Sequence, residues 1–223
     1  ECGPCCSAKT RLRAGRRGDG AIYGPYHYTD VLGSKLGHVP LLIPIAWFMM
    51  IYPSYVIANL LVAGRSLVNG AGLSRLIWLA LVGSLVMTAW DLSVDVILSG
   101  PAVQAWIWHN GGPYFGIPVQ NFAGWVLTTF TVYMLYRLFE RWVALRPLAP
   151  LTFATAALPL VAYAGMALSQ MLLGNPALQV IIPFTMGLPV LVAAGRLFDT
   201  GGRDARDTLG EAVARMADFS ERP

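Results

Sequence analysis

The chain has 223 residues, of which 56% are hydrophobic and 13% charged, against roughly 45–50% and about 25% in a soluble domain. From Leu36 to Gly195 there are five Arg, no Lys and three acids, Asp91, Asp95 and Glu140, too few polar groups to cover a water-soluble surface. Soluble enzymes, nucleic-acid modules and disordered linkers are excluded for most of the chain, which has the composition of an integral membrane protein. The net charge of +4 does not imply a nucleic-acid partner, because the basic residues sit in the tails and between apolar blocks.

Residues 1–21 form a polar basic tail that carries Cys2, Cys5 and Cys6. Cys2-Gly3-Pro4-Cys5 matches a thiol-redox tetrapeptide, but no βαβ pattern surrounds it. The chain begins with Glu, so a fragment or an unusual start is expected. Residues 22–198 are expected to form the membrane domain. Its apolar blocks run at about 38–63, 74–98, 117–137, 151–173 and 177–198, each long enough to cross a bilayer. The predicted architecture is all-α, a polytopic transmembrane helical bundle of about five spans. The blocks are continuously apolar, which argues against the alternation of a β-barrel. Prolines at 44, 53, 118, 159, 183 and 189 predict kinks. Residues 199–223 turn polar, and Leu209, Val213, Met216 and Phe219 recur at helical spacing. That pattern fits an amphipathic surface helix or a frayed tail.

Arg residues follow the first, third and fifth blocks, whereas segments 99–116 and 174–176 contain no Lys or Arg. The positive-inside rule then places the Arg-bearing side in the cytoplasm; the expected location is a prokaryotic cell membrane. The basic N-terminal tail opposes this vote.

Asp91 and Asp95 lie four residues apart in Ala89-Trp90-Asp91-Leu92-Ser93-Val94-Asp95, so a helix puts both carboxyls on one face. Ionisable groups inside a span cost roughly 2.5–3.5 kcal/mol each and usually face a bundle interior or a wet cavity. Mutual repulsion and burial disfavour a second negative charge, so one carboxyl is expected to keep its proton. A general acid beside a general base requires that arrangement. The bland alternative is an interfacial cap at Asp95 and an interhelical bond at Asp91.

Two aromatic segments accompany the acids. One runs Trp106, Trp108, His109, Asn110, Gly111, Gly112, Pro113, Tyr114, Phe115, Gly116, then Asn121, Phe122 and Trp125. An interfacial aromatic belt is the default explanation, and its Gly and Pro density predicts a structured re-entrant loop. The other, Tyr23-Gly24-Pro25-Tyr26-His27-Tyr28-Thr29-Asp30, falls on the same side by span parity. His27, Tyr28, Trp90, Trp108, Tyr114, Phe115 and Asn121 are the candidate substrate-binding residues beside the catalytic candidates Asp91 and Asp95. Aromatic faces stabilise a developing cation. His27, His38 and His109 show no metal-binding spacing, and no nucleophile elbow, phosphate loop or dinucleotide fingerprint is present. Met49-Met50 and the Trp-rich spans read as lipid-facing or packing residues.

Tyr26-His27-Tyr28-Thr29-Asp30, Val39-Pro40-Leu41 and the run Ala46-Trp47-Phe48-Met49-Met50-Ile51-Tyr52-Pro53 resemble the carotenoid biosynthesis membrane-protein family. So do Thr88-Ala89-Trp90-Asp91-Leu92 with Asp95, and Gly112-Pro113-Tyr114-Phe115-Gly116-Ile117-Pro118 with Asn121-Phe122 and Gly124-Trp125. The family includes bisanhydrobacterioruberin and γ-carotene hydratases, and the likeness extends from about Tyr23 to Phe139. It departs at Asp95-Val96, where the family often has Asp-Pro, and family members usually carry further helices upstream. The resemblance implies cofactor-free addition of water to the terminal double bond of an acyclic carotenoid, giving a tertiary alcohol. In that scheme Asp91 donates the proton, Asp95 accepts one from water, and Trp90, Trp108, Tyr114 or Phe115 flanks the cation. The implied partners are an acyclic carotenoid, membrane lipid and other carotenoid-pathway enzymes.

Two other function classes compete. A non-catalytic carotenoid-binding or assembly subunit would hold pigment without changing it. A proton-coupled transporter would also use intramembrane acids, but no inverted repeat is present and both acids sit near one end of one helix.

Overall fold

The computed structural model describes residues 20–68, 71–143 and 153–199. The basic N-terminal tail, with its cysteines, and the expected C-terminal surface helix lie outside the described residues. Five helices dominate: α1 (Leu42–Ala63), α2 (Leu73–Ser99), α3 (Val119–Val143), α4 (Phe153–Leu173) and α5 (Pro176–Asp199). They follow the five apolar blocks to within a few residues. The exceptions are α1, which starts at Leu42 because residues 39–40 are in a strand, and α3, which continues to Val143.

By length and apolarity α1, α2, α4 and α5 are each able to cross a membrane. The helix α3 is long enough but more polar, since it carries Gln120, Asn121, three Thr, Arg137, Glu140 and Arg141. Four of its polar side chains, Asn121, Thr129, Tyr133 and Arg137, are buried. The chain is thus a membrane protein with a mostly helical fold.

Side-chain bridges fix the directions of the helices. Trp47 meets Trp125, Tyr133 donates to the Ile51 carbonyl, and Arg137 donates to Asn59, so α1 and α3 run parallel. Tyr163 donates to the Val86 carbonyl and Ser93 donates to Gln170, which makes α4 parallel to α2. The helix α2 lies at the centre, antiparallel to α1 and α3, with α4 packed on both α1 and α2 and α5 packed on α4 and α2. In lipid such packing rests on close contact and interhelical hydrogen bonds, each worth about 0.6 kcal/mol on average. Gly83 permits one close contact, its Cβ position lying 3.1 Å from the Tyr133 ring. Pro183 has no N–H to donate, and α5 widens there into a π-turn over Pro183–Gly187.

One end of the bundle carries short strands: β1 (Tyr26–Tyr28), β2 (Lys35–Leu36), β3 (Val39–Pro40) and β4 (Trp106–Trp108). Strand β1 pairs antiparallel with β4 in the register Tyr26↔Trp108, His27↔Ile107, Tyr28↔Trp106, and β2 pairs with β3. The Gly-rich segment is structured as predicted, but as a strand and a tight hairpin instead of a re-entrant loop. Tyr114 and Ile117 exchange both backbone bonds around Phe115-Gly116. The φ angles there are 51° and 87°, the double left-handed conformation of a type I′ turn.

The segment at residues 20–24 lies along the first turns of α3. Gln120 donates to the Gly20 and Ala21 carbonyls, and Tyr23 donates to Thr128. Gly124 makes the approach possible, because a Cβ there would sit 2.6 Å from the Ile22 carbonyl oxygen and 2.9 Å from the Tyr23 ring. Gly124→Ala is therefore expected to lift this segment and cost about 1–3 kcal/mol. Thermal unfolding in detergent, together with protease sensitivity near Tyr23, checks this.

Candidate active site

Where β1 and β4 cross the bundle end, a cavity of about 260 Å³ opens between α1, α2 and α3. The central helix supplies Trp90, Asp91, Val94, Asp95 and Leu98; α1 supplies Ile43, Ala46 and Trp47; α3 supplies Asn121 and Trp125. Tyr23, Tyr26, Tyr28, Trp106 and Trp108 complete the wall. In a three-residue strand alternate side chains share a face, which is why Tyr26 and Tyr28, with Trp106 and Trp108 opposite, line the cavity together.

Asp91 and Asp95 are 2% and 1% exposed. The Asn121 amide bridges them: Nδ2 donates to Asp91 Oδ2 at 3.0 Å and to Asp95 Oδ2 at 2.7 Å. The second Asp95 oxygen accepts from Trp106 Nε1 at 2.6 Å. Asp95 therefore receives two N–H donors and Asp91 one. Donors favour the charged form of a carboxyl, and Asp95 has the larger share of them. Helical spacing of four residues explains why both acids face Asn121, which begins α3 at the level where α2 ends.

The remaining wall is aromatic. Trp47 stacks on Trp125 with ring centroids 4.4 Å apart and planes at 17°. Trp90 meets Trp125 edge-on at 6.0 Å, and Tyr26 leans on Trp108 at 4.9 Å. Two indole N–H groups of the wall, on Trp90 and Trp108, are buried without a hydrogen-bond partner among the described residues. Burial, reinforced by neighbouring tyrosines, keeps the Tyr28 phenol above the ordinary tyrosine range, and burial does the same at Tyr23. Both phenols are neutral hydroxyls at physiological pH.

Among the sequence candidates, Asp91, Asp95, Tyr28, Trp90, Trp108 and Asn121 come together in this cavity. Three others do not line it. His27 points to the outer face of the ribbon, where its Nδ1 lies 2.8 Å from His109 Nε2. Tyr114 donates to the Leu92 carbonyl at 2.9 Å and so ties the hairpin to α2. Phe115 occupies the turn and is 47% exposed. Sequence reasoning did not single out Tyr23, Tyr26, Ile43, Ala46, Trp47, Val94, Leu98, Trp106 or Trp125 as site residues, although it placed Tyr23, Tyr26, Trp106 and Trp125 in the aromatic segments that accompany the acids. Helical spacing offered a signal for some: Trp125 follows Asn121 by four, and Trp47 follows Ile43 by four. Among the described residues no cluster of three or more His, Cys, Asp or Glu is placed to hold a metal.

The sequence pattern of the carotenoid biosynthesis protein family matches residues 17–194. A bisanhydrobacterioruberin hydratase of Haloarcula japonica is 30% identical over 116 residues, which are 51% of this chain and 36% of that protein. The chain thus aligns with little more than a third of that relative's length. No solved structure is similar. The family match covers most of the chain, including every residue of the cavity wall, and the chain belongs to the carotenoid biosynthesis protein family.

Proposed function

We propose that the cavity adds water to the terminal double bond of an acyclic carotenoid end group, giving a tertiary alcohol without a cofactor. The observation that carries this reading is the buried Asp91–Asn121–Asp95 bridge inside an aromatic wall. Alkene hydration needs an acid strong enough to protonate carbon, a surface that tolerates a carbocation, and a base for water. These residues supply all three. The name of the similar hydratase points the same way.

Asp91, the carboxyl with fewer donors, gives its proton to the less substituted alkene carbon, whose π electrons form the new C–H bond. The positive charge appears on the tertiary carbon against the faces of Trp90 and Trp125, which attract it through their ring quadrupoles. A water oxygen attacks that carbon, and its proton passes to Asp95. The two acids end with the proton exchanged, and transfer back through cavity water resets them. The unpartnered indole N–H groups of Trp90 and Trp108 are suited to hold such water.

A role confined to holding pigment would leave no task for the acid pair. Expression in cells that accumulate an acyclic carotenoid separates the two readings. Asp91→Asn is expected to lower formation of the product one water heavier by about 10²–10⁴-fold, the usual worth of a general acid; mass spectrometry of extracted pigment reads it. Full product from Asp91→Asn would remove Asp91 from the acid role. Asn121→Leu leaves both carboxyls without their bridge, at an expected cost of about 1–3 kcal/mol. Trp106→Phe removes one donor from Asp95 alone and should cost less. Paired thermal unfolding curves in the same detergent test that order.

A further inference from the structure

The cavity holds about 260 Å³, room for on the order of nine non-hydrogen atoms at roughly 30 Å³ each. That is close to two isoprene units and far short of a whole carotenoid, so most of a long polyene must remain outside while its end reacts. The acids fix where the end lies, and the walls restrict where the rest leaves. The ribbon side is covered by four aromatic side chains, with Tyr26 against Trp108 and Tyr28 against Trp106. The rear is α2, backed by α4 and α5 through buried contacts such as Tyr163 and Met186. The remaining side is the gap between the parallel helices α1 and α3.

Away from the cavity that gap is closed by hydrogen-bonded bridges: Tyr133 to the Ile51 carbonyl, Tyr55 to Glu140, and Arg137 to Asn59. Beside the cavity it is closed by the stacked rings of Trp47 and Trp125, both half-buried and without a hydrogen bond between them, with Tyr23 held next to Trp125 by its bond to Thr128. A ring stack can separate by side-chain rotation alone, without breaking a polar contact. The neighbouring surface of α1 is strongly apolar, with Phe48 77% and Ile45 64% exposed, as expected of a face turned to lipid.

We infer that Trp47 and Trp125 are a lateral doorway through which an acyclic isoprenoid terminus enters from the bilayer while the remaining chain stays in lipid between α1 and α3. This deepens the end-group hydration proposed above and rests on it for the identity of the reacting end. Recognition is then confined to the terminus. Substrates with the same end and different total length are handled alike, and two-ended substrates react one end at a time.

Photolabelling of the full chain in lipid nanodiscs tests the doorway without requiring turnover. Two long acyclic isoprenoid hydrocarbons share one terminus; one carries a diazirine in its first isoprene unit, the other about fifteen carbons in, beyond the cavity's capacity. The near label is expected on Trp90, Val94 or Asn121, and the distal label on outward residues of α1 or α3 such as Phe48. Distal adducts on Tyr26, Trp108 or α5 would overturn the doorway. Trp47→Ala combined with Trp125→Ala should raise the rate of near-label adducts at least threefold, with Trp47→Phe close to wild type; an unchanged rate would also overturn it. Should the double variant fold poorly, the wild-type distal map decides alone. Labelling as expected with no hydration in the same membranes removes the hydratase reading and leaves the doorway standing. Hydration with distal adducts on the ribbon does the reverse.

Discussion

Two carboxyls buried on one face of an apolar helix are the constraint from which this end of the molecule follows. Neither carboxyl is tolerable in that setting without donors. Asn121 serves both, which requires the start of α3 to lie beside the last turns of α2. Trp106 serves Asp95 a second time, which requires β4 to fold back over the helix end. A lone strand of three residues is not stable there, and β1 pairs with it across almost eighty residues of sequence. The ribbon, the segment packed on Gly124 and the cavity itself are consequences of satisfying that acid pair.

The opposite end of the α1–α3 gap is held differently. Arg137 is 1% exposed, donates through Nη2 to Asn59 at 2.8 Å, and lies 4.2 Å over the Tyr55 ring. Tyr55 in turn donates to Glu140 at 2.8 Å. A hydrogen-bonded clamp of this kind fixes the spacing of two helices in lipid more firmly than apolar contact, because separating them takes from the buried guanidinium its amide and ring partners. The same helix pair is thus pinned by charge at one end and closed only by stacked indoles at the cavity. That asymmetry lets one end yield without loosening the bundle.

The parts legible in the sequence were those governed by local spacing. Long apolar blocks located the five helices, and the four-residue interval of Asp91 and Asp95 put both on one face before any fold was known. Asn121, Trp90 and Trp108 were found because polar or aromatic residues crowd near the acids in sequence, and Tyr28 because span parity put its segment on the same side. What escaped depended on pairing between distant segments. His27 and Tyr28 are neighbours in sequence, yet strand alternation sends one outward and the other into the cavity. Nothing in Tyr26-His27-Tyr28 alone reveals a strand whose partner is Trp106–Trp108. Tyr114 looked like a cavity residue by proximity to Asp91, but a type I′ turn aims its hydroxyl at the Leu92 carbonyl instead. Trp47 was indistinguishable from a lipid-facing residue, since its neighbour Phe48 is one.

The order of the two acids along α2 gives the proposed chemistry a direction. The helix runs toward the ribbon, so Asp91 lies one turn deeper in the bundle than Asp95, about 6 Å by helical rise. On the proposed route a terminus entering from lipid between α1 and α3 reaches first the level of Asp91, the carboxyl with a single donor. In the same scheme water at the ribbon end of the cavity meets first Asp95, the carboxyl with two donors. The cation then forms between an apolar side that brought the alkene and a polar side that brings the nucleophile. Were the roles reversed, the protonated acid would face water and the base would face hydrocarbon, and each would be in the environment least suited to its charge. In the proposed chemistry, depth along one helix, set by a four-residue interval, therefore decides which carboxyl meets the alkene and which meets water.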